Sequence, residues 1–379
     1  MSKLEPIWSN IPFHFKKEVV ERLDYKDRCL FRRCSRSEKQ LVDKCHVTLS
    51  QLAIKFSQNY SMFSYSQTGE TVISVKFSKN QESREIHVET KESPLIYKPG
   101  KNEKMLWKKL KILENVENID DIELATGEFL MAAKNLKCKK ILINDVIITS
   151  EFHATPEIDR FSRISQYFCT NFLSLTNRKI ETETVRIFAN ILSEMKEEKE
   201  NCLGKFLDKF NEKSVKRIEL IDRSESWDLR EIAEKCKIWK NLKEIYLEMR
   251  NTLRVEHFIH ADHIQMFVTD FEPHELWNVI QSFITKNKHG SAFYFNYKED
   301  APDVTAIFNT FNTLPNDQPI QPKTQLRIAL NSRFVHTQRF AISPDLCLLV
   351  MISDREVMGT VCHVANINEE ANVEMGLMR

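Results

Sequence analysis

The segment that decides the fold of the amino-terminal region is Ile11–Val42, with the sequence IPFHFKKEVVERLDYKDRCLFRRCSRSEKQLV. Its Ile-Pro start predicts a proline in the first turn of a helix, where the missing N–H has no intrahelical partner to lose. Phe15, Val19 and Leu23 then recur every four residues and predict one apolar helical face. Val20 lies beside this face in the sequence.

Two further short helices are predicted in the same segment. The first helix should end near Asp24, which can cap the free amides of a second helix, while Asp27 adds negative charge to the positive first turn. Ser35 and Glu38 have the spacing of a capping box, which predicts the start of a third helix. The apolar residues expected to pack these helices together are Leu30, Phe31, Cys34 and Leu41.

An amphipathic three-helix segment of this size is also typical of the amino-terminal cap of a larger fold, and the pattern alone leaves that interpretation open. The order of its residues resembles an F-box, however. The positions that fill the F-box pattern are Ile11, Pro12, Phe15, Val19, Val20, Leu23, Asp27, Arg28, Cys29, Phe31, Cys34, Ser35, Arg36, Leu41 and Val42. Cys29 and Cys34 stand where a bulkier Leu and Val are usual, which predicts a shallower contact surface and a lower affinity.

This resemblance implies that the segment docks to a Skp-like adaptor and, through it, to a cullin-RING ubiquitin ligase. The adaptor-binding residues it implies are Ile11, Pro12, Phe15, Val19, Val20, Leu23, Asp27, Cys29, Leu30, Phe31 and Cys34. Roughly forty residues is near the lower limit for independent stability, so the helices should gain order from a partner and from the following domain. Ten basic and six acidic residues between Phe15 and Cys45 leave four excess positive charges, which would steer an acidic partner.

Composition limits the possible functions of the chain. It has 379 residues, 42% hydrophobic and 29% charged, which is a globular composition sufficient for several domains. The formal net charge of +1 predicts no long-range attraction to nucleic acid or to a membrane surface. No apolar run approaches the roughly 20 residues of a bilayer span, so we expect a soluble protein of the cytoplasm, the nucleus or both, with no membrane partner.

Cysteine and glycine usage also bears on chemistry. Nine scattered cysteines without a Cys-x-x-Cys pair are typical of free thiols in a reducing compartment. Only 7 glycines occur and none is clustered, so no phosphate-binding loop is predicted. We therefore expect no cofactor and no structural metal.

A short β-rich connecting region is predicted at residues 47–100. Residues 71–77 alternate polar and apolar side chains, Ile86 and Val88 continue this pattern, and another strand is expected around Tyr60, Phe63 and Tyr65. Residues 91–104 contain two prolines and a glycine and predict a loop.

Helical and strand patterns then alternate through residues 101–320. Helices are predicted at 103–116, 127–136, 185–195, 203–210, 232–239 and 276–284, and strands at 139–143, 215–220, 242–247 and 291–295. Helix followed by strand implies parallel pairing with right-handed crossovers. An irregular leucine-rich-repeat-like α/β arc fits this period, with an ordinary open α/β sheet as the competing interpretation.

The predicted fold class is therefore α+β or α/β in four parts. These are an F-box at 1–46, the β-rich connection at 47–100, the α/β repeat region at 101–320 and a β-rich carboxy-terminal cap at 321–379. Strands expected in the cap are at 326–330, 339–342, 346–352 and 357–364.

A second resemblance concerns the middle of the chain. The sequence from Cys236 to Ile245, with Trp239, and the later Phe258, Ile259 and His260 resemble the FTH domain that follows the F-box in a large nematode family. The FTH-like segment extends over about residues 180–310. Where the usual pattern has His-Phe, this chain has His260-Ala261, which puts any role of that histidine in doubt.

The residues most suggestive of an enzyme are three histidines spaced three apart, His257, His260 and His263. The i, i+4 spacing that zinc enzymes favour is absent, so surface or packing roles are preferred over metal binding.

The leading hypothesis is a non-catalytic substrate-recognition subunit of a ubiquitin ligase, with an unknown target on the repeat region. The alternatives are an F-box scaffold that acts without ubiquitination and a metal-dependent enzyme centred on these histidines.

Overall fold

A computed structural model provides the structure of the chain. It describes residues 8, 11–23, 25–31, 34–45, 48–56, 60–66, 71–78, 84–90, 94–97, 121–135, 137–144, 166–175, 179–192, 199–268, 272–297, 334–353 and 355–366. The helix predicted at 103–116 and the strand predicted at 326–330 lie outside these residues.

Two compact units make up the chain. The first comprises Met1–Arg186, Ile191–Met195 and Lys209–Ser214. The second comprises Ile187–Asn190, Lys196–Asp208 and Val215–Arg379. The predicted four-part division at residues 46, 100 and 320 stays a prediction.

The first unit begins with three short helices and continues as a mixed sheet. The helices are α1 (Phe13–Arg22), α2 (Tyr25–Phe31) and α3 (Arg36–Lys44). The strands and the fourth helix are β1 (Thr48–Phe56), β2 (Tyr60–Ser66), β3 (Thr71–Ser78), β4 (Arg84–Thr90), β5 (Pro94–Tyr97), α4 (Asp121–Asn135), β6 (Lys137–Asn144) and β7 (Thr182–Phe188). The last two residues of β7 are assigned to the second unit. Their order in the sheet is β7-β6-β1-β2-β3-β4-β5, with β1 parallel to β6 and antiparallel pairing from β1 through β5.

Sequence patterns located most of these strands but failed at three places. The predicted loop at 91–104 contains β5, in which Pro94 is the first residue, a position that sheets tolerate. Helix α4 begins at Asp121, six residues earlier than predicted, because Ile122 and Ala125 extend its buried face. The predicted helix at 185–195 is strand β7 followed by a 3-10 turn, since its buried and less buried residues alternate with period two.

The second unit combines parallel helix-strand units with an antiparallel end. Its helices are α5 (Lys199–Leu207), α6 (Arg230–Lys235), α7 (Lys237–Asn241) and α8 (Pro273–Lys286). Its strands are β8 (Arg217–Trp227), β9 (Glu244–Asn251), β10 (His263–Val268), β11 (Ala292–Tyr297), β12 (Phe334–Ala341), β13 (Leu346–Ser353) and β14 (Glu356–His363). They are ordered β8-β9-β10-β11-β14-β13-β12, parallel from β8 to β11 and antiparallel beyond.

The predicted alternation of helix and strand is therefore confirmed for the units that end in β8, β9 and β11, as is a mixed α/β fold. Strand β10 was not among the predicted strands and follows only a 3-10 turn, Val255–His257. Alternate residues of β9 and β10 are buried, so one face of each strand lies in the core. The strand order agrees with both the arc and the open sheet, and the leucine-rich-repeat-like interpretation stays a prediction.

A single glycine lets β11 and β14 approach at their shared core. A Cβ atom built on Gly359 would lie 2.3 Å from Cε1 of Phe293, its register partner on β11. Phe293 is fully buried and stacks on Phe295 at 5.3 Å between ring centroids. The ring therefore occupies the space that any larger residue at position 359 would need.

We expect Gly359→Ala to lower the free energy of unfolding by about 1–3 kcal/mol, because the new methyl group overpacks a dense core. Gly127→Ala is the matched control, since nothing lies within 4 Å of the added Cβ in the interior of α4. That control should be neutral or stabilise the chain by up to about 1 kcal/mol through helix propensity. Thermal unfolding checks both variants, and equal midpoints for the two would contradict the close approach.

Candidate adaptor-binding surface

Helix α1 begins directly after the Ile-Pro start. The Pro12 carbonyl accepts hydrogen bonds from the backbone N–H groups of Phe15 and Lys16, each at 3.1 Å. Pro12 thus precedes the helix as its cap residue, one position earlier than the predicted place in the first turn. At the other end, Leu23 has an extended backbone with ψ of 145°, which ends the helix one residue before Asp24.

Helix α3 starts as its sequence predicts, whereas Asp24, the predicted cap of α2, lies outside the described residues. Asp27 lies in the first turn of α2, where its carboxylate faces the positive end of the helix. Ser35 caps α3, because its Oγ accepts from the backbone N–H of Glu38 at 3.3 Å. The Glu38 carboxylate accepts from Trp8 Nε1 at 3.2 Å and from Ser37 Oγ at 3.1 Å. The residue before the helices is therefore tied to α3.

The three helices share a small apolar core. Its buried members are Val20, Leu41, Val42 and Cys45, and the half-buried residues packed against them are Trp8, Leu23 and Phe31. Trp8 contacts Phe31 edge to face at 5.1 Å between ring centroids. Val20 is fully buried here, so this member of the predicted contact surface packs inside the helices.

A buried arginine joins α1 to α2. The Arg28 side chain is 3% exposed; its Nη2 donates to the Glu21 carbonyl at 2.6 Å and its Nε to the Leu23 carbonyl at 2.9 Å. These carbonyls belong to the negatively polarised carboxyl end of α1, so the cation both satisfies them and stabilises the helix. This burial cannot be predicted from the sequence, because nothing in a sequence reveals which carbonyls a guanidinium will reach.

An apolar stripe on α1 remains open to solvent. Phe15 is 52% exposed and Val19 is 44% exposed, and their i, i+4 spacing places them one above the other on the helix. Pro12, also exposed, and the half-buried Leu23 continue the same side. We call Pro12, Phe15, Val19 and Leu23 the α1 stripe. Large apolar side chains exposed together in this way are typical of an interaction surface.

The other predicted contact residues differ in exposure. Asp27 and Cys34 are exposed, whereas Ile11, Leu30 and Phe31 are half-buried. The side chain of Cys29 lies outside the described set. Phe13 is 53% exposed but lies two residues from Phe15, about 200° around the helix, and so is not part of the stripe.

Charges surrounding the stripe are partly paired. Lys17 lies 3.5 Å from Glu21, and Arg22 pairs with Glu18, both at i, i+4 spacing. These exposed pairs contribute little stability but keep the positive charges on the outside of α1. Burial raises the pKa of the Cys45 thiol, with a further upward contribution from Glu21, so Cys45 acts as a small apolar residue.

The three histidines of the enzyme hypothesis have separate surroundings. His257 Nδ1 accepts from the Arg254 backbone N–H at 3.1 Å, and His260 Nε2 donates to the Trp239 carbonyl at 2.8 Å. Burial lowers the pKa of His260. His263 begins β10. Within the described ranges, no three His, Cys, Asp or Glu side chains are arranged to hold one metal ion.

Two domain families match the chain. Residues 8–50 match the F-box domain, and residues 171–312 match the FTH domain. The chain therefore contains an F-box domain and, downstream of it, an FTH domain. A search of curated proteins and a search of solved structures gave no match. Among the helices that the structure describes, none is both long and apolar enough to cross a bilayer.

Adjacent valines on α1 provide a test of its two faces. We expect Val20→Ala to destabilise the three helices by about 1.5–3 kcal/mol, because it leaves a void among Leu41, Val42 and Cys45. Val19→Ala is the matched control and should change stability by less than about 0.5 kcal/mol, since Val19 is largely exposed. Rates of proteolytic cleavage within residues 8–45 measure the difference, and equal rates would show that the two valines are not distinguished by burial.

Proposed function

We propose that this protein is the substrate-recognition subunit of a Skp-cullin-F-box ubiquitin ligase. F-box domains in general bind Skp-like adaptors of cullin-RING ligases and are generally non-catalytic. The observation that carries the proposal is the α1 stripe: the F-box helices bury their own core around Val20 and still expose Phe15 and Val19. An apolar surface that the described part of the chain leaves exposed is what a foreign subunit requires.

The mechanism is proximity. The F-box holds the Skp-like adaptor, the FTH-containing region holds a target protein, and the transfer of ubiquitin takes place on enzymes assembled nearby. Raising the local concentration of a target lysine next to the charged enzyme replaces a bimolecular encounter with one within the complex. No metal or cofactor is needed on this chain, and the assembly would work in the cytoplasm, the nucleus or both.

The target-binding side is assigned to the parallel helix-strand units of the second unit. Regular secondary structure holds side chains in fixed positions more effectively than loops do. The sequential order β8-β9-β10-β11 supports, as part of this proposal, a leucine-rich-repeat-like arrangement of these units.

Adaptor binding tests the proposal directly. We expect Phe15→Asp and Val19→Asp each to weaken binding of a purified Skp-like adaptor by roughly 100-fold, because a carboxylate would be desolvated in an apolar interface without a partner. Both side chains are exposed in the free chain, so the fold should be preserved. Isothermal titration calorimetry with the full chain measures the affinity.

Phe13→Asp is the matched control for this experiment. It introduces the same charge at an equally exposed phenylalanine, 53% against 52%, on another side of the same helix. Its effect on affinity should remain within about threefold, the range of a peripheral charge change. Full affinity in folded Phe15→Asp and Val19→Asp proteins would refute the assignment of the α1 stripe to the adaptor.

A further inference from the structure

A groove in the second unit lies between helix α8 and the preceding turn. Its volume is about 520 Å³, within the usual range for a ligand site. Val255 and Ile259 form an apolar side, and polar residues of α8 form the other. The turn is tied to the helix, because Ser282 Oγ donates to the Ile259 carbonyl at 3.2 Å.

The sequence of α8 explains why a polar stripe faces this groove. Leu276, Val279, Ile280 and Phe283 are buried and attach the helix to the core. Asn278, Gln281, Ser282 and Thr285 follow one another at i, i+3, i+4 and i+7 and line the groove. Both ends of the helix are capped. Glu272 and Glu275 form a capping box at its start, and Asn287 adopts a left-handed conformation, with φ of 48°, at its end. The groove thus has one fixed polar wall.

The half-buried side chain of Lys286 also lines the groove. Lys286 Nζ donates to the Ala261 carbonyl and lies 4.4 Å from the centre of the Phe283 ring. An ammonium group at this position loses much of its hydration. This loss is energetically unfavourable unless an opposite charge lies nearby.

Among the residues that the structure describes, counter-charge around Lys286 is scarce. The carboxylate that acts on it is that of Asp262, and Lys288 already pairs with this carboxylate at 2.6 Å. Lys243 and His260 also lie within electrostatic range, and Lys243 is a further positive charge. Burial lowers the pKa of Lys286 to about 8; Asp262 opposes this shift, while Lys243 and Lys288 add to it. The charges that act on Lys286 are thus two lysines and one carboxylate, and an added anion would stabilise this ammonium.

We propose that this groove binds a short acidic peptide segment of the target protein, with the Lys286 ammonium as the counter-ion for an aspartate or glutamate side chain. The amides of Asn278 and Gln281 can donate to and accept from the backbone of an extended peptide, which suits a peptide better than a bare anion. Glu256, which also lines the groove, disfavours a second acidic group at its own position and so gives the segment a direction. The inference deepens the proposed function, because it names the kind of segment by which a target is held.

The probe is a displayed library of random short peptides, selected on the immobilised full chain at pH 7. We expect the selected sequences to be enriched in aspartate and glutamate. For a synthetic peptide of the selected sequence, Lys286→Gln should weaken binding by about tenfold or more, the usual loss for a hydrogen bond to a charged group. Lys286→Arg should retain binding. Lys235→Gln is the matched control, because Lys235 is exposed, pairs with Glu231 and is not part of the groove.

A second pair of variants keeps the test informative if Lys286→Gln does not fold. Thr285 is exposed on the groove wall, so charge can be added there without disturbing the core. Thr285→Glu should weaken binding of the acidic peptide and Thr285→Lys should strengthen it, each by roughly two- to fivefold. Equal effects of the two substitutions would overturn the proposal.

The pH dependence follows from the same ammonium. Because the Lys286 ammonium is charged below its pKa of about 8, affinity should be highest at pH 7 and fall as the pH rises through 8 to 9. The decline should be absent from Lys286→Arg, whose guanidinium keeps its charge. A pH-independent affinity in the wild-type chain would contradict the role of Lys286.

Other outcomes separate this inference from the proposed function. The acidic-peptide assignment would be overturned if the library selected basic or apolar peptides, or if no sequences were enriched. It would also be overturned if a double-stranded DNA oligonucleotide bound more tightly than the acidic peptide and Lys286→Gln abolished that DNA binding. Phe15→Asp should leave peptide binding unchanged. Peptide binding without adaptor binding would refute only the ligase assignment, and adaptor binding without peptide binding would refute only the groove.

Discussion

The burial of Val20 is the contact on which the amino-terminal region depends. Helix α1 carries more apolar residues than its own small core can cover, and Val20 is the one that Leu41, Val42 and Cys45 enclose. Because adjacent helical residues differ by about 100° in direction, burying Val20 turns Val19 outward. Phe15 follows Val19 on the same side. The internal packing of the F-box thus determines which apolar side chains remain for a partner.

A segment this small buries little apolar surface, so hydrogen bonds at its helix ends contribute a large share of its stability. Arg28 binds the last carbonyls of α1, Ser35 caps α3, and Trp8 donates to Glu38 from outside the helices. These contacts fix the angles between helices, so the α1 stripe is presented in one orientation before any partner arrives. Preorganisation of this kind lowers the entropy lost on binding.

Local patterns located many elements because local chemistry determines them. The Ser35 cap of α3, the acidic first turn at Asp27 and the four-residue apolar spacing of α1 all concern residues within one or two turns of each other. The other half of the predicted capping box is not formed, because the Glu38 carboxylate accepts from Trp8 and Ser37 instead. Long-range features were not accessible in this way. The reach of Arg28 to the carbonyls of α1 and the role of Trp8 depend on how chain segments cross. Strand β7 was mistaken for a helix because Val185, Phe188, Ala189 and Leu192 have helical spacing, although the burial of Val185 and Ile187 follows the strand period of two.

The groove beside α8 also combines features that local sequence predicts with features that depend on long-range packing. Its polar wall can be found in the sequence from Asn278 and Thr285, but the opposite wall exists only because the turn containing Ile259 lies against the helix. The shortage of counter-charge around Lys286 likewise depends on Lys243 and Asp262, which precede neighbouring strands of the sheet. A sequence lists these lysines, whereas the fold brings them to one place.

Hydrogen exchange of the full chain, measured with and without a purified Skp-like adaptor, tests the central claim most directly. If the α1 stripe is the contact surface, adaptor should slow exchange in peptides covering residues 11–23, beyond any general slowing of the F-box core. Slowed exchange elsewhere, with residues 11–23 unchanged at saturating adaptor, would contradict the account.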